Sequence, residues 1–88
     1  MANKRTLKHS IHLICEDLFA EGIAVSLYGT ETQRENAHTL LYSIVKIEDE
    51  FIRRVSHPEP GMKPKLYFKD LTDSFSAQIG EIVDQLNG

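Results

Sequence analysis

The chain of 88 residues has a single cysteine, Cys15, so it cannot form an internal disulfide. It also lacks an apolar run long enough to span a bilayer. The basic start MANKRTLK is followed by polar residues rather than by the apolar core of a signal peptide. Together these absences favour a cytoplasmic, reducing location and give no reason to expect a membrane as partner.

A strong excess of charge of either sign is missing as well. The formal net charge is −3, which provides no overall attraction to nucleic acid or to a membrane surface. Internal repeats, low-complexity tracts and strand-like alternation of apolar residues are absent too. We therefore expect one small globular domain over residues 1–88, and we do not expect it to bind nucleic acid.

What the chain does contain is helical periodicity. Apolar residues recur at spacings of three, four and seven, which predicts helices over about 5–28, 32–57 and 64–86. Because the connections are short, the sequence predicts an all-α, antiparallel, up-down-up three-helix bundle.

Local signals place the helix ends. Gly29 is expected to end the first helix in a left-handed conformation, and Asn3 or Thr6 to cap its start. Thr32 and Glu35 fit a capping box for the second helix. The stiff connection that follows has a proline at each end. Pro58 disfavours helical geometry at His57, and Pro64 suits the first turn of the third helix.

The first helix differs from the other two, which each have a single apolar stripe. One of its stripes is expected to face the core: Leu7, Ile11, Ile14, Leu18 and Val25. A second set lies nearly opposite, and we call it the second face of helix 1: Leu13, Phe19, Ala20, Ile23 and Leu27. Three packed helices leave this set exposed, and exposed apolar patches usually mark contacts. The pattern favours a homodimer or contact with another protein, although a plain bundle gripped on both sides fits it as well.

His9, His12 and Glu16 share one side of the first helix at a spacing that could offer ligands to zinc or another transition metal. A site built from one helix lacks a further ligand, so the alternative is a solvated polar patch. They are weak metal candidates, and no cofactor is expected.

Glu48 lies among apolar neighbours on the second helix, and a buried carboxylate needs a partner. Counting back from the proline-rich turn places it level with about Asp73 of the third helix, within one residue of Thr72. We therefore predict a buried polar pair between Glu48 and Thr72, either fixing helix register or lining a small pocket.

Basic residues are predicted to gather at one end of the bundle, where the first and third helices start and the second ends. We call this set the basic end: Lys4, Arg5, Lys8, Arg53, Arg54, Lys63, Lys65 and Lys69. Two helix N-termini surrounded by cations resemble an anion site. Exposed lysines at helix ends are also common without any function.

No pattern of nucleophile and base predicts catalysis. The leading hypothesis is a small non-enzymatic helical bundle that contacts another protein, first of all itself, through the second face of helix 1. The alternative is a module that binds an anion or an acidic partner through the basic end.

Overall fold

The computed structural model describes residues 4–87. These residues form three helices, α1 (Lys4–Tyr28), α2 (Glu31–Ser56) and α3 (Pro64–Asn87), and contain no strand. The prediction of an all-α three-helix bundle is confirmed. Thr6 lies inside α1 rather than at its start, and the other predicted cap, Asn3, falls outside the described residues.

Contacts between helices show their directions. Moving forward along α1, His12 meets Glu48, Gly22 approaches Leu41, and the backbone of Ser26 meets the side chain of Arg34. Because the α2 partners run backwards, α1 and α2 are antiparallel.

The same reasoning applies to α2 and α3. The rings of Phe51 and Phe75 pack edge to face at 5.3 Å, and the Tyr67 hydroxyl reaches the carbonyl of Arg54. The bundle is therefore up-down-up, and it is a rod of 46 × 18 × 18 Å. No helix within residues 4–87 is long and apolar enough to cross a membrane.

The turn between α1 and α2 is capped two residues earlier than predicted. Thr30 is the N-cap: its hydroxyl accepts from the Gln33 amide at 3.2 Å, and the Gln33 side chain accepts from the Thr30 amide at 2.9 Å. Thr32 and Glu35 lie inside the helix, so the prediction that they form the capping box is wrong. Glutamine closes the box as glutamate would. Thr30 with Gln33 and Thr32 with Glu35 therefore both match the capping-box pattern.

Gly29 ends α1, but the left-handed conformation predicted for it is wrong, since no described glycine has a positive φ. Its amide donates to the Val25 carbonyl at 2.9 Å. A Cβ at this position would lie 2.6 Å from that carbonyl oxygen and 3.0 Å from the Gln33 side chain. Glycine is therefore favoured here by the close approach of the turn rather than by its φ angle.

The core lies along the line where the three helices meet. Its most deeply buried large side chains are Ile11, Ile44, Phe51, Val55 and Leu71. α1 packs extensively on α2 and touches α3 along little of its length. The buried stripe of α1 is consequently rotated toward α2, so that Cys15 and Gly22 are buried. Ile14, which was predicted to face the core, is 42% exposed.

The connection between α2 and α3 follows its prolines. His57 has φ −128° and ψ 74°, outside the helical region, as Pro58 after it requires. Tyr67 is buried, and its hydroxyl donates to the Arg54 carbonyl at 2.9 Å. This hydrogen bond satisfies a carbonyl in the last turn of α2, where helical partners run out.

Candidate interaction surface

The second face of helix 1 is largely open to solvent. Leu27 is 63% exposed, Leu13 49% and Ile23 40%, and Ala20 is exposed as well. Phe19 differs from the other four because it is half-buried and packs against the edge of the core. Four members of the predicted set thus lie outside the core, and the fifth links them to it.

Helix α2 extends this apolar surface with Val45, which is 51% exposed. A shallow groove of about 230 Å³ separates α1 from α2 here, and we call it the hairpin groove. Its lining residues are His12, Cys15, Glu16, Phe19, Ile44, Val45 and Glu48. The prediction from the sequence did not include Val45. It could have been identified as a β-branched apolar residue that falls outside the core stripe of α2.

The predicted pair of Glu48 and Thr72 is wrong. Glu48 Oε1 lies 2.6 Å from Nδ1 of His12 on α1, and its side chain remains 27% exposed. The Thr72 hydroxyl donates instead to the Phe68 carbonyl one turn earlier, at 2.8 Å, and Thr72 is exposed. Glu48 comes four residues after Ile44 on the side of α2 that faces α1, so it reaches the hairpin groove rather than α3.

His12 joins two carboxylates at the rim of the hairpin groove. Because a carboxylate can only accept, the His12 Nδ1 atom must carry the proton that binds Glu48. The Nε2 atom of the same ring lies 3.4 Å from Glu16. The hydrogen bond that His12 donates to Glu48, followed by the negative charge of Glu48, raises the pKa of His12 above 6.5, and the charge of Glu16 adds to this. The result is a polar clasp between α1 and α2 beside an apolar surface.

The weak metal candidates do not converge. Within residues 4–87 no three histidine, cysteine or acidic side chains are grouped so that they could hold a metal ion. His12 approaches Glu16, and its other contact is with Glu48 rather than with His9.

Cys15 shares the hairpin groove with His12 and Glu48, an association of residue types that also occurs in thiol catalysis. Two observations argue against that chemistry. Cys15 is only 1% exposed, and burial, followed by the charge of Glu48, raises the pKa of its thiol to about 11. Both ring nitrogens of His12 already face carboxylates. The thiol therefore remains protonated at neutral pH and serves as a small apolar core group.

The antiparallel order brings the start of α1, the end of α2 and the start of α3 to the same end of the rod. Two of the eight basic-end residues have intramolecular roles. Arg53 pairs with Asp49 at 2.5 Å, and the guanidinium of Arg54 lies 5.0 Å from the centre of the Phe51 ring. Lys8 is half-buried, and the remaining five members are exposed: Lys4, Arg5, Lys63, Lys65 and Lys69.

Comparisons with protein-family models, with curated proteins and with solved structures found no match to this chain. The proposed function is therefore inferred from the exposed residues alone.

Proposed function

We propose that this chain is a non-enzymatic interaction module that self-associates through the second face of helix 1. The observation that carries this is the exposure of Leu13, Ile23 and Leu27 along one helix that already has a separate core stripe. Burying one such side chain fully is worth about 1.5–3 kcal/mol. A large apolar surface left in water is therefore best explained by a partner that covers it.

The shape of the molecule supports the same proposal. The chain exposes 6331 Å², whereas a compact monomer of this mass would expose about 5,200 Å². One long side of the 46 × 18 × 18 Å rod offers roughly 800 Å² in projection, which is the area that each partner buries in a standard interface. A small domain gains little stability from its own core, and a dimer formed along this side would add to that stability.

The cytoplasm remains the proposed setting, since a reduced, buried thiol such as Cys15 needs no oxidising compartment.

Sedimentation equilibrium of the wild type, of two variants on the second face of helix 1 and of one control variant tests the proposal. Leu27→Glu places a charge on the second face of helix 1 and should raise the dimer dissociation constant by more than tenfold, since a desolvated charge without a partner is costly. Ala20→Arg should act in the same way.

Leu66→Glu is the matched control, because Leu66 is 54% exposed and belongs to α3 rather than to α1. It should leave the dissociation constant unchanged. A wild type that stays monomeric at millimolar concentration, or equal effects of Leu27→Glu and Leu66→Glu, would refute self-association through this face.

A second candidate function is binding of an anion or an acidic partner at the basic end. The observation that favours it is that two helix starts and five exposed cations share one end of the rod.

Changes in the NMR chemical shifts of backbone amides on adding phosphate, nucleotides or short RNA test this second function. Shifts are expected at Lys4, Arg5, Lys63 and Lys65. The control is Lys46, whose ammonium lies 5.1 Å from the centre of the Tyr42 ring elsewhere on α2. Shifts of equal size at Lys46, or none at the basic end, would contradict this function.

A further inference from the structure

We propose that the hairpin groove, together with the part of the second face of helix 1 beside it, binds a basic amphipathic helix of another protein. Phe19 and Ile23 serve both this contact and self-association, so the binding rests on the proposed function and names a further partner for the same surface. The juxtaposition that supports it is an apolar groove with an acidic rim, on the side of the α1–α2 pair that α3 leaves open.

The third helix covers one side of the α1–α2 pair. On that side, Ile47 of α2 lines a cleft together with Ile82 of α3. Val45 comes two residues before Ile47, and side chains two apart on a helix point about 160° away from each other. Val45 is 51% exposed and lines the hairpin groove, whose lining residues named above lie on α1 and α2. A groove between two packed helices is a shape that a further helix fits.

The apolar part of this surface continues along α1 beyond the groove. Phe19, Ile23 and Leu27 follow one another at intervals of four residues, so they form a ridge on one side of the helix. Phe19 is half-buried, Ile23 is 40% exposed and Leu27 is 63% exposed. Val45 lies across the groove from Phe19. Apolar side chains one turn apart are what the apolar side of an amphipathic helix contacts in a groove.

Acidic side chains border the groove. Glu16 and Glu48 line it, and Asp49 follows Glu48 on α2. Arg53 pairs with Asp49, and His12, which lies between Glu16 and Glu48, offsets at most one of their charges. The rim therefore stays negative wherever carboxylates are ionised.

The charge of the surrounding chain has the same sign. Residues 11–51 contain eight acidic and two basic residues, a net charge of −6 against −3 for the whole chain. Of the two basic residues, Arg34 shares its surface with Glu31 and Glu35, and Lys46 lines the cleft toward α3. A second copy brings the same negative charge to this surface, whereas a basic helix brings the opposite charge. At low salt, charge complementarity therefore favours the basic helix over a second copy.

Two synthetic helices of about 18 residues, or five turns, test this binding. Both have leucines along one side, and the other side has lysines in the first helix and glutamates at the same positions in the second. Fluorescence anisotropy at about 50 mM salt should give a dissociation constant at least about tenfold lower for the basic helix than for the acidic one. The difference should shrink at about 500 mM salt. Because Phe19 and Ile23 are shared, the basic helix should also dissociate the dimer in sedimentation experiments.

A matched pair of substitutions locates the site. Val45→Lys places a positive charge in the groove and should raise the dissociation constant of the basic helix more than about tenfold. Leu66→Lys adds the same charge at a leucine of α3 that is 54% exposed, and it should change this constant less than about twofold. An unspecific attraction to the negative chain would weaken equally in both variants. Glu16→Gln should raise the constant about threefold, and circular dichroism checks that each variant is folded.

The outcomes separate this binding from self-association. A dimeric wild type that binds both synthetic helices equally, or that loses as much affinity through Leu66→Lys as through Val45→Lys, would overturn the site for a basic helix and leave self-association intact. A wild type that is monomeric at millimolar concentration, yet binds the basic helix and loses it in Val45→Lys, would refute self-association and support this site. A monomer that binds neither helix would refute both.

Discussion

The two sides of α1 are built from similar residues and behave differently. The inner side places Ile11, Cys15, Leu18 and Gly22 against α2 and the core, where each is nearly inaccessible. The outer side carries two leucines and an isoleucine that remain in water. Hydrophobicity alone therefore does not decide which side of this helix is the core. The inner side contains the small residues Cys15 and Gly22, which allow α2 to approach. The outer side contains side chains that no other described helix covers.

The largest expected effect separates the sides by the same substitution. Leu18 is 7% exposed and Leu27 is 63% exposed. Leu18→Ala should lower the free energy of unfolding by about 2–5 kcal/mol, because it leaves a cavity in the core. Leu27→Ala should change it by no more than about 0.5 kcal/mol where the chain is monomeric. Urea unfolding at low concentration measures both. Similar losses at the two positions would show that the outer side is also packed within one chain.

Much of this architecture follows from the sequence because the signals are local. Pro58 and Pro64 mark their helix ends whatever the rest of the chain does, and spacing alone identified Leu13, Ala20 and Leu27 as outward. Which neighbour a side chain meets is not local. Because α1 is rotated toward α2, Cys15 lies in the core and Ile14 does not. Because Glu48 lies on the side of α2 that faces α1, it binds His12 instead of Thr72.

The same limit explains why the surface was only partly predicted. The second face of helix 1 was derived from one helix, and that reading could not include a residue contributed by α2. Val45 becomes part of the surface only because α2 packs beside Phe19 at that level. A helical wheel gives the direction of a side chain from its own axis, and it contains no information on the position of the next helix.

The second effect contrasts two positions two residues apart. A Cβ on Gly22 would lie 2.7 Å from Leu41 Cδ2 and 3.3 Å from its Cγ. Gly22→Val should therefore cost about 1–3 kcal/mol by overpacking, although valine is the better helix former of the two. Ala20→Val, on the outer side, should cost no more than the roughly 0.6 kcal/mol expected from helix propensity. Thermal unfolding in dilute solution gives both values. A neutral Gly22→Val would mean that α1 and α2 do not need to approach so closely.

The smallest effect concerns His12, which lies between the two sides, at the rim of the hairpin groove. Glu48 raises the pKa of His12 above 6.5 through the hydrogen bond and its charge. A histidine whose pKa is higher in the folded state contributes stability that is fully present below its unfolded-state pKa of about 6.5. That contribution is lost as pH rises through the folded-state pKa. We therefore expect the coupling between His12 and Glu48 to be larger near pH 6 than at about pH 8.5.

A double-mutant cycle of His12→Gln and Glu48→Gln, with urea unfolding at both pH values, measures this coupling. Proton NMR of the His12 ring gives an independent check, since its titration midpoint should fall in the Glu48→Gln variant. Leu13 and Leu27 lie outside the clasp, so the effect should persist in a Leu27→Glu monomer. An equal coupling at both pH values would contradict the titration of His12 as its source. A coupling that appeared only in the dimer would show that the clasp belongs to the interface between copies rather than to the packing of α1 on α2.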